Sequence, residues 1–507
     1  MQTAKKVASN TIIQYVQLAL NVLIGLYSVR VILRSLGTTD YGIYDLMAGV
    51  IGLLSFISNS LSQTSIRFIA VSMGRNDQEE VRNTFNKCFI LHLLMAIALV
   101  AILELLTFFL FDGFLNIPVE RMSTAKIIYQ CMLVTLFVNI IITPFRAIII
   151  AHEKFIYTSC IGILDSLCKL GIAFLVAAAS TDKLRLYGWL MMCITILNLM
   201  CYIVFCFVEF RREILIKPLP LRSLKNVSSF AGWTLLDVLS SVLNRQGYAV
   251  MLNKFFGTTV NTVFALARQI EGHMCSISTS AMVTMKPQIM KSYGKGDSAR
   301  MLRLSLTSGK IGFSMMSLIA IPLLVMMPEV LHLWLDDVPE GTVEFTRLLV
   351  AACMISQLTH GLFYANQAIG NVKWFSIIVS SLRILALPIS CFLLFLGYEA
   401  VIAIIVFLVF ETLGSLSRVI ILSKLSELKV CDFFKSVLLQ ILPPFAIATL
   451  VCLQLNRYLE GVWGMLANTA LTIILYAVLL YFWGLTNAER KSIDQIMRSI
   501  INRLVKR

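Results

Sequence analysis

Apolar runs longer than eighteen residues, separated by short polar breaks, repeat from one end of the chain to the other. That length suits helices crossing a bilayer, at about 20 residues each. The runs do not show the roughly ten-residue alternation of an outer-membrane strand. They predict helices near 10–33, 42–66, 85–110, 124–150, 158–179, 187–209, 229–254, 262–286, 304–328, 343–369, 374–396, 400–424, 435–455 and 462–485. The fold class is therefore an all-α integral membrane protein with about 14 transmembrane helices. Composition sharpens this: of 507 residues, 58% are hydrophobic and 14% charged, so little chain remains for a soluble catalytic domain.

A net charge of +15 in a soluble protein would suggest nucleic acid. In a membrane protein, Lys and Arg gather in cytosolic loops and set orientation, so no nucleic-acid partner is expected. One set of loops holds Lys5 and Lys6, then Arg211, Arg212, Lys217, Arg222 and Lys225, then Lys286, Lys291, Lys295, Arg300 and Arg303, and the tail. The opposite set includes 329–344, which has acids and no Lys or Arg. The first set is assigned to the cytosol, which puts both termini inside. The first apolar run is long, polar-studded and followed by LGTTDYG, which reads as a retained span and not a cleaved signal. The twelve cysteines lie mostly in apolar runs without a C-x-x-C pair and read as small buried thiols.

A shift of 220 positions places SLGTTDYG (35–42) on FFGTTVNT (255–262) and SMGRND (72–77) on SYGKGD (292–297). Near the same shift, FLNIP (114–118) meets WLDDVP (334–339), and EKF (153–155) meets VKW (372–374). Gly37 and Gly257 are expected to end a helix in the left-handed conformation, with the following threonines capping the next. Gly74 and Gly294 are expected to end the second helix of each copy. Asp77 and Asp297 would cap a short surface helix, with Glu80 completing a capping box. Six helices per copy is an even number, so the copies are parallel, and the expectation is two six-helix lobes around a central cavity. The lobes are 1–209 and 229–424, joined by a cytosolic linker at 210–228. Residues 425–485 supply two appended helices, and 486–507 read as a basic amphipathic helix on the cytosolic leaflet.

The pattern RVILRSLGTTDYGIYDL (30–46), the SMGRND loop, two six-helix lobes and two extra helices resemble the Wzx-type polysaccharide or O-antigen flippases. These belong to the multidrug, oligosaccharidyl-lipid and polysaccharide exporter superfamily. The resemblance implies flipping of a polyprenyl-pyrophosphate-linked oligosaccharide, an O-antigen, capsule or exopolysaccharide unit, by alternating access. Movement would run from the cytosolic to the periplasmic leaflet of a bacterial inner membrane. The implied partners are the lipid-linked oligosaccharide, membrane lipids, and glycosyltransferases and the polymerase of the same pathway. A small-molecule or drug antiporter of the same architecture is the alternative. A membrane glycosyltransferase would need a larger aqueous loop than this chain has, so no enzyme is expected.

A charge at mid-membrane costs about 2.5–3.5 kcal/mol on insertion scales and must face protein or water. Asn10, Gln14, Gln17, Asn21 and Ser28 form one stripe on the first helix; Asp45, Gly52, Ser55, Asn59 and Ser62 form another on the second. The seventh offers Thr234, Asp237, Ser241, Asn244, Arg245 and Tyr248, and the eighth Arg268, Glu271, Cys275 and Ser278. All four stripes are expected to line the lumen. Arg245 and Arg268 are the candidates for a pyrophosphate, because guanidinium grips phosphate bidentately and stays charged when desolvated. Asp237 and Glu271 are their alternative partners, and candidates for coupling. Arg30 and Asp45 form either a ligand contact or an ion pair. Arg383 and Glu411 form an interhelical pair or a coupling site, and Asp165 neutralises Lys169. Counted this way, the deep charges nearly cancel. His92, His273 and His360 read as satisfied core imidazoles, with a proton relay as the alternative. With no H-E-x-x-H, no clustered Cys/His spacing and no phosphate loop, neither a metal, a cofactor nor ATP hydrolysis is expected. Pro144, Pro322, Pro388, Pro443 and Pro444 interrupt spans and can kink them.

Overall fold

The protein, as a computed structural model, is described for residues 2–52, 54–111, 118–214, 216–335, 338–486, 489–490 and 494. Most of the 486–507 tail, with its proposed amphipathic face, lies outside the described residues, as do 114–117 of FLNIP and 336–337 of WLDDVP. Among the described residues the regular elements are helices, with no strand. In chain order the first half comprises α1 (Gln2–Gly52), α2 (Ser55–Gly74), α3 (Gln78–Phe109), α4 (Met122–Ala151), α5 (Phe155–Ala178) and α6 (Lys183–Glu209). The second half opens with α7 (Lys225–Val283), α8 (Lys286–Gly294), α9 (Ser298–Val325) and α10 (Met327–Trp334). It continues with α11 (Thr342–Ile369), α12 (Lys373–Phe395), α13 (Ala400–Leu425), α14 (Val430–Phe433), α15 (Leu439–Asn456) and α16 (Gly461–Leu479). Among the described residues, eleven helical stretches are long and apolar enough to cross a membrane. The residues between them, 38–74 and the two halves of 225–283, hold the polar stripes of the second, seventh and eighth spans.

No loop separates the first span from the second, or the seventh from the eighth. Two helices abut at a single non-helical residue, Gly37 (φ 77°, ψ 172°) in α1 and Gly257 (φ 79°, ψ −167°) in α7. Positive φ with extended ψ is essentially reserved for glycine. The expected left-handed cap is thus replaced by a sharper one-residue break, because ψ is extended where the left-handed helix needs it near +45°. The chain folds back there: Tyr248 and Phe264 stack with centroids 6.3 Å apart. Sixteen residues of straight helix would separate them by about 24 Å.

The 220-residue repeat recurs in the helix boundaries. The helices at Gln78 and Ser298 start in register, as do those at Met122 and Thr342, while α2 and α8 end at Gly74 and Gly294. Positive φ recurs at Asn76 (57°) and Gly296 (79°). Asp77 accepts from the amides of Glu79 and Glu80, and Asp297 from that of Arg300. They cap α3 and α9, which are long spans and not the expected short surface helix. Glu80 does not close a capping box, since its carboxylate pairs with Arg75. The prolines also depart from expectation in part: Pro144, Pro322, Pro388, Pro443 and Pro444 sit inside helices that continue past them. Likewise, the polar segment 329–344 contains the end of α10.

The chain packs as two compact units, one of Ile12–Val238 and the other of Met1–Thr11 with Leu239–Arg507. In the first, a polar seam joins α1 and α5 in one register. Gln14 donates to Ser159 at 3.3 Å, Ser166 donates to Asn21 at 2.9 Å, and a Cβ on Gly162 would sit 2.3 Å from Gln17 Nε2. The constant offset of 145 residues means the two helices run parallel. Gln14, Gln17 and Asn21 of this stripe therefore pack against α5 within the first unit, where a lumen lining was expected. Arg121 bridges Asp40 at 2.9 Å and Asp182 at 3.3 Å beside the Gly37 break. The linker is clipped back onto α3, where Asn86 exchanges two 3.0 Å hydrogen bonds with the backbone of Lys217.

In the second unit the same kind of seam joins α7 and α12. Arg383 donates to Ser241 at 2.9 Å, Asn244 donates to the Arg383 carbonyl at 2.7 Å, and Tyr248 and Ser390 hydroxyls meet at 2.9 Å. Around it lies an apolar core of Tyr248, Leu252, Phe264, Ala267, Phe345, Leu349 and Ile404. A second core, of Ile321, Met326, Ala448, Cys452 and Tyr476, fixes the appended helices α15 and α16 against α9.

Candidate functional site

The second unit concentrates charge among its spanning helices. On the returning half of α7, Arg268 and Glu271 lie one turn apart, with Nη1 3.4 Å from Oε2, and each side chain is 13% exposed. The Arg268 guanidinium stacks 4.7 Å from the Phe407 ring centroid and 5.2 Å from that of Phe264, replacing hydration by ring faces. Its Nε is buried without a hydrogen-bond partner. Arg245 is exposed and lies within electrostatic reach of Arg268. It stands 12 residues before Gly257 and Arg268 stands 11 after it, so the fold-back puts them at similar depth.

A second charge group adjoins the first. Glu411 on α13 is met by Arg418 at 3.2 Å and by Arg383 of α12 at 3.6 Å. Arg418, 3% exposed, also donates to the Ser356 carbonyl and hydroxyl and to the Thr359 hydroxyl, at 3.2–3.3 Å. Lys286, at the start of α8, is buried with its ammonium 5.4 Å from the Tyr364 ring centroid. His360, between Phe363 and Tyr364, lies within electrostatic reach of Arg383, Arg418, Lys286 and Glu411.

The sequence candidates therefore separate. Arg268 meets Glu271, Arg383 meets Glu411, and Asp165 meets Lys169 at 2.7 Å. Arg30 and Asp45 are both exposed and, among the described residues, form no ion pair with each other, against the pairing that sequence allowed. Asp237 is half-buried and belongs to the first unit, whereas Arg245 belongs to the second. His92 is a core imidazole with Nδ1 2.7 Å from the Cys88 carbonyl, while His273 is exposed and not in a core.

Sequence reasoning missed Arg418, which joins Glu411 from two turns along the same helix; a basic residue at i+7 inside an apolar span was the available signal. It also missed Lys310, buried within α9, which donates to Gln440 at 2.6 Å and to Glu489 at 2.8 Å. With Arg418 and Lys286 included, the charge group holds Arg245, Arg268, Arg383, Arg418 and Lys286 against Glu271 and Glu411. Among these seven side chains five are basic and two acidic.

A sequence profile of the family described as "Polysaccharide biosynthesis protein" matches residues 3–291. The chain belongs to that family. It lies within the superfamily of multidrug, oligosaccharidyl-lipid and polysaccharide exporters. Among curated proteins, the uncharacterized membrane protein EpsK of Bacillus subtilis (strain 168) is 21% identical over 287 residues. That match takes in 55% of this chain and 55% of EpsK, about half the length of the relative. Among solved structures, a MATE protein in a bent conformation aligns with a TM-score of 0.74 and 14% identity, covering 86% of this chain and 98% of that one. An outward-facing multidrug resistance MATE transporter of the MOP superfamily gives 0.69 at 14% identity, covering 85% and 96%. A MOP superfamily transporter from Pyrococcus furiosus, described as having a binding pocket of reversed polarity, gives 0.67 at 13%, covering 85% and 96%. At these identities the likeness to solved structures is one of fold.

Proposed function

We propose that the protein is a flippase moving a polyprenyl-pyrophosphate-linked oligosaccharide from the cytosolic to the periplasmic leaflet of a bacterial inner membrane. Both termini would lie in the cytosol. The observation that carries this reading is the cluster of basic side chains in the second unit, with Arg268 desolvated on two aromatic rings. Basic side chains gathered among apolar helices favour an anionic ligand, and a pyrophosphate is a ligand of that kind. Membership of a polysaccharide biosynthesis family supports the same substrate class. The MATE-like fold keeps a drug antiporter as the second reading; the cluster of arginines weighs against a cationic substrate, because like charges repel.

The test is reconstitution into proteoliposomes with a fluorescent polyprenyl-pyrophosphate oligosaccharide, its outward movement read by accessibility to a soluble quencher or lectin. Arg245→Ala and Arg268→Ala should each slow movement while the protein remains inserted. Arg268→Lys should rescue in part, since charge survives and the bidentate fork does not. Full activity of Arg268→Ala/Glu271→Ala would refute the ligand role of Arg268 and leave it as the partner of Glu271. Transport of cationic dyes with no movement of the lipid substrate would favour the antiporter.

A further inference from the structure

Beside Arg268 the fold gathers a donor set that no local spacing announces. The carboxylate of Glu271 and the thiols of Cys275 and Cys353 lie with their donor atoms all within 4.8 Å of one another. Glu271 and Cys275 are four residues apart and share one face of α7. Cys353 is buried on α11, 78 residues further on, and Gln357 follows it by four on the same helix. Gln357 is 2% exposed; its Nε2 points to Cys275 Sγ at 3.3 Å and Cys353 Sγ at 3.9 Å. Its Oε1 is held by the Ser278 hydroxyl at 3.0 Å.

We infer that Glu271, Cys275 and Cys353 form a zinc site, with Gln357 as the fourth group. Two sulfurs on a tetrahedral zinc stand about 3.8 Å apart and a sulfur and an oxygen about 3.6 Å, so the present cluster reaches that geometry by side-chain adjustment alone. Two thiols and one carboxylate are too soft a set for magnesium or calcium, and the carboxylate favours zinc over cuprous copper. Rotation of the Gln357 amide exchanges its donor for its acceptor, presenting Oε1 to the metal, and Ser278 can donate or accept and so serves either orientation. Binding releases two protons: Zn2+ joins two thiols and the Glu271 carboxylate, leaving a centre of net charge −1 and two protons in solvent. Arg268 and Arg245 offset that charge. Because Glu271 would turn from Arg268 to the metal, zinc occupancy would also free the Arg268 guanidinium for another anion.

The experiment uses the full chain purified in detergent with a non-thiol reductant, and its readout is independent of any transport. Zinc content by mass spectrometry should be one ion per chain. The wild-type zinc absorption spectrum should fit two sulfurs at about 2.3 Å and oxygen or nitrogen at about 2.0 Å. Substitution by cobalt should produce a thiolate charge-transfer band that Cys275→Ser and Cys353→Ser each abolish. Exchanging the exposed Cys160 and Cys193 for serine should leave it intact. Gln357→Leu should weaken zinc binding at least about 10-fold, because the fourth ligand of the tetrahedral set is lost. An absorption spectrum with no sulfur shell overturns the proposal without recourse to any variant. So does a cobalt band that persists in the Cys275→Ser/Cys353→Ser protein.

Discussion

Glu411→Ala is the perturbation that most directly interrogates the charge group of the second unit. The carboxylate is 9% exposed and shared by Arg418 at 3.2 Å and Arg383 at 3.6 Å, so its removal takes one anion away from two guanidiniums at once. Breaking a buried pair by deleting one partner costs about 3–5 kcal/mol. The remaining contacts set where in that range the loss falls. Arg418 keeps three acceptors on α11 and Arg383 keeps the Ser241 hydroxyl, which argues for the lower end, about 3 kcal/mol. At about 2 °C per kcal/mol for a unit of this size, the apparent melting temperature should fall by about 6 °C. Melting of purified protein in one detergent, read by tryptophan fluorescence, measures it. Arg418→Met should cost less, because Glu411 retains Arg383, and Glu411→Ala/Arg418→Met should recover part of the loss by removing the excess cation. The coupling between the two changes is the decisive quantity. A Glu411→Ala protein melting within about 1 °C of wild type, or strictly additive effects in the double variant, would refute the reasoning.

Other consequences are as specific. Gly37→Ala and Gly257→Ala should each destabilise by about 1–3 kcal/mol through backbone strain alone, since a Cβ at either position meets nothing within 4 Å. Gly25→Ala, equally unobstructed but helical, should instead stabilise by about 0.5–1 kcal/mol, and parallel melting of the three separates strain from packing. Burial pushes the Asp40 carboxyl up and Asp182 adds to this, while Arg121 opposes both. Arg121→Ala should therefore be least stable at neutral pH and gain stability as pH falls through the raised Asp40 value, giving a melting temperature that rises on mild acidification. Glu489 behaves oppositely: burial would raise its carboxyl, but Lys310 and Thr486 outweigh this and hold it below the ordinary value. Its clip onto Lys310 is present above about pH 4.5 and is lost as pH falls through the lowered value. Glu489→Gln should open it at neutral pH, seen as faster tryptic cleavage at Arg490.

Span positions, helical class and the duplicated turns were legible because each depends on local chemistry. A run of twenty apolar residues needs no partner to declare that it prefers a bilayer, and a glycine followed by polar residues marks a break wherever the chain goes. The 220-residue register at Gly37 and Gly257 was visible for the same reason: positive φ with extended ψ admits essentially one residue type. The polar stripes were legible as stripes, but their direction was not. Asn21 and Asn244 were themselves assigned to the lumen. Only the packing of α5 on α1 and of α12 on α7 shows that they fill seams.

The charge balance marks the same boundary. Sequence could count Arg383 and Glu411 as a pair, because neighbouring helices at matching depth make that pairing natural. It could not show that Arg418 closes on the same carboxylate, nor that Arg268 lies on Phe407, which is 139 residues away and on a different helix. Likewise, Cys275 and Cys353 follow no ligand-spacing rule, since spacing rules describe ligands on one turn or one hairpin, and these two meet only where α7 and α11 cross the same depth. Thus the amino-acid order by itself determined which segments are helices, where they break and that the halves repeat, since hydrophobicity and backbone sterics act within a few residues. Which charge answers which, and whether a polar face meets a neighbour or stays exposed, was decided by tertiary structure alone, because those energies depend on distances between residues that the chain holds far apart.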